Sequence, residues 1–198
     1  NRLVAYQYGS VIQDVVTTNV LQELPFPLYA VEPAGRYGVS LNFSRLERLR
    51  PGYGYNNLPD ATADLAAPDD DGIWLHNIAN ADSRLIVSLE NLARFHPCPS
   101  MSDAVHYVNH LQFSPDGTKL IFLHLWMPVG PRRNRLLLYD LECRSLHVVD
   151  DSATVSHFNW LSCNQLVLSR VPFHNEPGYY VCELDVKNTP RMTPLEGI

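Results

Sequence analysis

The chain has 198 residues, of which 45% are hydrophobic and 18% charged, which is enough apolar material for the core of one domain. Its formal net charge of -6 argues against general binding of nucleic acid, because phosphate contacts need a surplus of Lys and Arg. No run of about 18 apolar residues is present, so the sequence predicts no membrane-spanning helix.

The first residues have neither an initiator Met nor the charged-then-apolar layout of a signal peptide, and they leave localisation open. The cysteines have no C-x-x-C spacing, so we expect ordinary reduced thiols. They are Cys98, Cys143, Cys163 and Cys182.

One hairpin recurs four times along the chain. In each copy an apolar strand ends in Asp or Asn plus an aliphatic residue, and a short polar turn leads to a second apolar strand. The first strands are residues 11–15, 73–78, 137–141 and 180–186, and the second strands are 20–24, 84–88, 145–149 and 191 onward. Asp140 and Asp185 are 45 residues apart, which matches the roughly 40–50 residues of one propeller blade.

A second hairpin precedes three of these copies. Its clearest form is residues 110–124, where a Ser114-Pro115-Asp116-Gly117 turn joins two apolar strands. Pro sets φ at the first corner of the turn, and Gly supplies the freedom to leave it. Residues 29–43 and 157–169 have the same layout. Two hairpins per repeat form a four-stranded antiparallel unit, which must stack on its neighbours to bury both faces.

This turn between two apolar strands resembles the repeats of TolB-like and WD40-like β-propellers, and the resemblance covers nearly the whole chain. The predicted fold class is therefore all-β, a partial propeller of about three four-stranded antiparallel blades and the end of a fourth. We assign residues 1–24 to the end of a preceding blade, 25–95 to a blade with an inserted loop, and 104–150 and 151–198 to further blades. Residues 88–95 could form one or two helical turns.

Propellers close with about four to eight blades. An open ring leaves strand edges exposed, which native proteins normally avoid. We therefore expect either that the chain is a fragment of a longer protein or that copies associate to complete the ring.

His110 and His157 occupy the same position on successive innermost strands, 47 residues apart. Equivalent positions in adjacent blades lie side by side, so the two imidazoles could bind a divalent metal. The alternative is that each His hydrogen-bonds a neighbouring loop.

A His ahead of such a turn, with another in the next blade, also resembles the oligogalacturonate lyase propellers. The resemblance implies that His110 and His157 hold a divalent metal, manganese, which neutralises a uronate carboxylate during β-elimination. The other ligands and the catalytic base have no counterpart that we can assign in this sequence.

The segment 42–55 interrupts the first full blade and is rich in Arg and Tyr. Guanidinium groups bind carboxylates through two parallel hydrogen bonds, and tyrosine rings stack on sugar faces. The predicted binding residues for an acidic oligosaccharide are Arg45, Arg48, Arg50, Tyr53 and Tyr55. The alternative is a long loop that packs over the blade, with Glu47 and residues 69–71 as ion partners.

Other polar segments have simpler interpretations. His106 and His124 are predicted to be structural. The arginines at 132, 133 and 135 are predicted to lie in a solvated turn, and residues 60–71 in a mobile loop.

The sequence contains no G-x-S-x-G elbow, phosphate loop, dinucleotide fingerprint or H-E-x-x-H. Three hypotheses stay open. The first is a propeller that binds or cleaves an acidic saccharide with a divalent metal. The second is a non-enzymatic scaffold for another protein, and the third is the accessory propeller of a larger enzyme.

Overall fold

The structure, a computed structural model, describes residues 8–128, 130–172, 177–185 and 189–195. Within these ranges the chain forms one two-stranded hairpin and three four-stranded antiparallel sheets, which we call the first, second and third blade. Each blade is built in chain order, so that consecutive strands are hydrogen-bonded neighbours.

The hairpin consists of β1 (Ser10–Gln13) and β2 (Val20–Leu24). The first blade consists of β3 (Ala30–Val31), β4 (Tyr37–Ser40), β5 (Gly72–Asn77) and β6 (Ser83–Ser88). The second consists of β7 (Val105–Phe113), β8 (Lys119–Met127), β9 (Arg133–Asp140) and β10 (Ser145–Asp150). The third consists of β11 (Ala153–Ser162), β12 (Gln165–Pro172), β13 (Gly178–Glu183) and β14 (Arg191–Pro194). The helices are α1 (Phe43–Leu49), α2 (Leu89–Arg94) and a single 3₁₀ turn, Pro99–Met101.

The second blade is buried on both faces. In β8, the consecutive side chains of Leu120, Ile121 and Phe122 are each 0% exposed, and β9 contains the equally buried pair Leu136 and Leu137. A continuous apolar run is typical of a strand with protein on both sides. The second blade is therefore the middle layer of a stack.

Side-chain bonds join the blades in chain order. Asn134 of β9 exchanges hydrogen bonds of 3.0 and 2.8 Å with the backbone of Val155 in β11. On the innermost strands, the amide of Gln112 donates to the Asn159 side chain over 2.9 Å. The blades thus fan out from neighbouring first strands, which is the arrangement of a propeller.

The turns that join the two inner strands repeat in detail. Gly35 of the first blade and Gly117 of the second both have φ +72°, a left-handed conformation that Gly adopts without strain. A Cβ added at Gly117 would lie 3.1 Å from the Glu32 carboxylate. The two turns therefore lie against each other at one end of the blades.

A helix replaces the first part of the predicted loop in the first blade. The Asn42 side chain accepts a hydrogen bond of 2.9 Å from the Arg45 amide, which caps the N-terminus of α1. Phe43 and Leu46 are buried on one face of the helix. Pro51 follows the last turn and disfavours further helix. This short helix was not predicted from the sequence, whereas α2 falls within the predicted residues 88–95.

The predicted fold class, an all-β partial propeller, is confirmed by the order and stacking of the sheets. Residues 1–7, which we assigned to a preceding blade, and Val186, which we placed in the last hairpin, lie outside the described residues, as do 196–198. No helix in the described part of the chain is long and apolar enough to cross a membrane.

Candidate functional site

His110 lies on a β-bulge in the innermost strand of the second blade. The register of β7 against β8 shifts between Asn109 and Gln112, and His110 itself has φ +54°. A non-glycine residue in the left-handed region is uncommon and indicates a local constraint. The bulge turns His110 out of the regular alternation of the strand.

Tyr29 and Asn109 hold this bulge in place. The His110 amide donates to the Asn109 side-chain oxygen over 2.8 Å and to the Tyr29 hydroxyl over 3.2 Å. The same hydroxyl donates to Asn109 over 2.9 Å. Tyr29 directly precedes the first blade, so an inter-blade contact positions His110.

Two of the predicted saccharide-binding residues meet at this bulge. The Arg50 guanidinium carbon lies 3.8 Å from the centre of the Tyr53 ring, a cation–π contact. The Tyr53 ring is 6.4 Å from the ring of His110 and meets it edge-on. The ring of His157 lies 6.1 Å beyond His110, also edge-on. We call these four residues, Arg50, Tyr53, His110 and His157, the rim cluster.

The rim cluster is electropositive. Partial burial is the main factor that lowers the pKa of His110, and the charges of Arg50 and His157 lower it further. Burial likewise raises the pKa of the nearby Tyr29 hydroxyl, although the charge of Arg50 opposes that shift. Within the described residues, the Arg50 guanidinium has no carboxylate partner. The cluster therefore combines a cation that has no carboxylate partner among the described residues, an exposed ring and two imidazoles.

Tyr55 and Arg48 are placed beside the cluster rather than in it. The Tyr55 ring stacks on Phe43 at 4.6 Å and contacts Tyr8 at 5.2 Å, so it packs against α1. Arg48 forms an ion pair of 2.9 Å with Asp60. Both side chains make contacts within the chain, as the alternative interpretation of segment 42–55 predicts. The ion partner of Arg48 is Asp60, however, and not one of residues 69–71.

Arg45 is an anchor inside the protein, and its guanidinium is not presented to a ligand. It is 1% exposed, and all five of its side-chain N–H groups have acceptors. These are the carbonyl of His106 on β7 at 2.8 Å, both oxygens of Thr62, and the carbonyls of Leu65 and Ala66 at 2.9 Å each. Arg45 therefore ties α1 to the loop that follows it and to the second blade.

Residues 60–71 are anchored at Asp60, Thr62 and Asp71, while most of the residues between them are exposed. The Asp60 carboxylate is 1% exposed and accepts hydrogen bonds from Thr62, Asn42 and Arg48. Burial opposes ionisation of Asp60, but these hydrogen bonds leave its pKa below the usual value. Asp71 is 3% exposed, and burial raises its pKa. Arg45 and these two carboxylates anchor the segment to the rest of the protein, and its mobility stays a prediction.

His106 and His124 are structural, as predicted. The predicted position of Arg135, which contacts His124, was wrong. Arg135 is 1% exposed in β9, not in a solvated turn, and donates to His124 Nδ1 over 3.1 Å. His124 Nε2 lies 2.9 Å from His106 Nδ1. Arg135 also donates to the carbonyls of residues 92, 95 and 96 at the end of α2. This network joins the first two blades.

The rim cluster is a poor match for the manganese site that the lyase resemblance implies. In the described part of the chain, no three or more His, Cys, Asp or Glu side chains are grouped so as to hold a metal ion. His110 and His157 supply two imidazole nitrogen donors, and the charged group beside them is the cation Arg50. The metal prediction stays a prediction, and these donors fit an anion better.

A cavity of about 540 Å³ lies away from the rim cluster, between the outer strands of the second and third blades. Its lining includes Phe95, Leu146 and Met192. Asp185, which lines the cavity, directly precedes residues 186–188, which lie outside the described ranges. We therefore assign the cavity no function.

Tyr29 and Asn109 are the functional residues that sequence reasoning missed. Tyr29 begins one inner hairpin and Asn109 directly precedes His110, so the repeat alignment places both on neighbouring inner strands. The signal that could have indicated Asn109 is its position next to the predicted site residue His110, since Asn is common where the backbone turns. The bulge itself has no signature in the sequence.

No protein-family model and no curated protein matches this chain. Among the solved structures, the chain is similar to TolB from Acinetobacter baumannii, with 14% sequence identity and a TM-score of 0.44. The match covers 92% of this chain and 37% of that chain. The propeller assignment rests on the sheet order and the stacking described above, and the fold is that of a propeller segment.

Proposed function

We propose that this propeller segment binds an acidic saccharide at the rim cluster. One observation carries the proposal. The guanidinium carbon of Arg50 lies 3.8 Å from the centre of the Tyr53 ring, the guanidinium has no carboxylate partner within the described residues, and two imidazoles lie nearby. A planar guanidinium binds a carboxylate through two hydrogen bonds, and an exposed tyrosine ring offers a stacking face for a sugar.

The exposure of the cluster supports a site for a ligand in solution. Tyr53 is 48% exposed, and His157 is also exposed on β11. The imidazoles can donate to or accept from hydroxyl groups, which a saccharide supplies in numbers. We propose binding as the activity of these residues and assign no catalytic role to either imidazole.

Calorimetric titration of a uronate trisaccharide tests the proposal, with the neutral trisaccharide in which each carboxyl group is reduced to a hydroxymethyl group as the matched ligand. We expect the acidic trisaccharide to bind at least tenfold more tightly, because only it pairs with Arg50. Tyr53→Ala should abolish binding, whereas Tyr37→Ala, at a ring that is 39% exposed on the first blade, should not change it. Equal affinity for the two ligands would contradict the proposal.

A second candidate function is a scaffold for protein association. The third blade exposes large hydrophobic side chains, with Leu161 56%, Val171 44% and Tyr179 50% exposed. Such side chains are common at protein interfaces. Sedimentation velocity over a range of protein concentrations tests for self-association. A larger species that is lost in Val171→Ser with Tyr179→Ser would support this function, and a monomer at every concentration would count against association between copies.

A further inference from the structure

We infer that Arg50 binds the carboxylate of the ligand directly and that no divalent metal lies between His110 and His157. The inference rests on the proposed function, since it names how the acidic group is recognised. It departs from the metal-dependent recognition that the lyase resemblance implies.

The donors of the rim cluster are too few for a divalent metal. Zinc sites in proteins have three or four protein ligands, and Mg²⁺, Ca²⁺ and Mn²⁺ are bound mainly through carboxylate and other oxygen ligands. His110 and His157 supply two imidazoles, at a ring separation of 6.1 Å. The charged groups that affect the pKa of His110 are Arg50 and His157, and no carboxylate is among them. In this part of the described structure, no carboxylate would therefore balance the charge of a metal ion added beside Arg50.

Arg50 already supplies the charge that a metal would bring. Its guanidinium is held 3.8 Å from the centre of the Tyr53 ring, and that ring meets His110 edge-on. A dication between the two imidazoles would lie close to this fixed cation, and the two like charges would repel each other. A carboxylate in the same place is attracted instead.

The position of Arg50 is set by the fold. Arg50 is the C-cap residue of α1, and its backbone N–H donates to the Leu46 carbonyl over 2.7 Å. Helix α1 is in turn fixed to β7 through Arg45. The guanidinium is therefore preorganised beside His110, and little conformational freedom is lost when it pairs with a carboxylate.

Titration with Mn²⁺ alone, followed by the paramagnetic resonance of the free ion, tests the metal part of the inference without a saccharide. We expect the signal of free Mn²⁺ to be the same with the wild-type chain, with His110→Ala and in buffer. Binding of Mn²⁺ to the wild type that is lost in His110→Ala would overturn the inference.

Calorimetry with the uronate trisaccharide tests the role of Arg50. We expect the same affinity with EDTA as with Mn²⁺, a loss of at least tenfold in Arg50→Gln, and an intermediate affinity in Arg50→Lys, which keeps the charge but not the two-pronged geometry. Arg84→Gln, at an exposed arginine on β6, is the control and should bind normally.

The outcomes separate this inference from the proposed function. Trisaccharide binding that requires Mn²⁺, or that survives Arg50→Gln, would overturn the inference and leave the saccharide site standing. No binding of the trisaccharide with either EDTA or Mn²⁺ would overturn both.

Discussion

The Tyr29 hydroxyl accepts a hydrogen bond of 3.2 Å from the His110 amide, although the two residues are 81 positions apart in the chain. The bond links the start of one blade to the bulge of the next. It fixes a left-handed residue, which costs free energy when it is not held by its surroundings.

Tyr29→Phe keeps the ring and removes both this bond and the bond from the same hydroxyl to Asn109. We expect a loss of about 1 kcal/mol in the free energy of unfolding, together with weaker binding of the uronate trisaccharide. The amide proton of His110 should shift in the ¹H–¹⁵N spectrum, a change that does not depend on any ligand. Tyr37→Phe, at a surface tyrosine, is the control. An unchanged His110 signal would mean that the bond does not hold the bulge.

Arg45 and Arg48 are close together on α1, but Arg45 is buried and Arg48 is partly exposed. Their substitutions should therefore cost different amounts of folding free energy. Arg45→Met should cost about 3–5 kcal/mol of folding free energy, because several buried carbonyls would lose their donor and the buried Asp60 would lose a positive charge 3.7 Å away. Arg48→Gln should cost about 1 kcal/mol or less, since that side chain is partly exposed. Urea denaturation measures both. Similar small losses would show that the Arg45 network contributes little.

His76 predicts a dependence of stability on pH. It is buried between Ser40 and Ser83, at 2.6 and 2.7 Å, and burial lowers its pKa from 6.5 to about 4. Above pH 6.5 the imidazole is neutral in both states. As the pH falls towards 4 the unfolded chain takes up a proton that the folded chain does not, so stability is lost.

The loss from His76 should be on the order of 2–3 kcal/mol between neutral pH and pH 4. Urea denaturation of the wild type and of His76→Gln at a series of pH values checks this. We expect the free energy of unfolding to fall less steeply in the variant. Parallel curves would contradict the assignment to His76.

The bond between Arg135 and His124 determines the tautomers of two buried histidines. Arginine only donates, so His124 Nδ1 must accept, and its proton is on Nε2. His124 then donates to His106 Nδ1, and His106 Nε2 faces the Met101 carbonyl. We expect ¹⁵N shifts of neutral Nε2–H imidazoles for both residues at pH 7. A protonated Nδ1 on either ring would be inconsistent with this order.

The hairpins could be predicted from the sequence because their signals are local. Turn chemistry, such as that around Gly117, and the alternation of apolar residues each act within about ten positions. The repeat then aligned His110 with His157 on neighbouring strands, and their rings are 6.1 Å apart in the structure.

The roles of the individual arginines could not be predicted in the same way. Arg45 and Arg50 are five positions apart on one short helix and its cap, and the sequence gives them equal weight as ligands. Their environments differ because the helix packs one side against β7 and turns the other towards Tyr53. Which of these arginines is buried depends on how the blades stack on one another. The burial of Arg135 between the first and second blades depends on the same stacking.

The five bonds of Arg45 tie the insertion between β4 and β5 to itself and to the second blade. Under the proposed function, we therefore expect an incoming saccharide to meet a preformed surface, without closure of a flap over it. Its association rate should be governed by diffusion and by the electrostatic attraction of Arg50, and should fall as ionic strength rises.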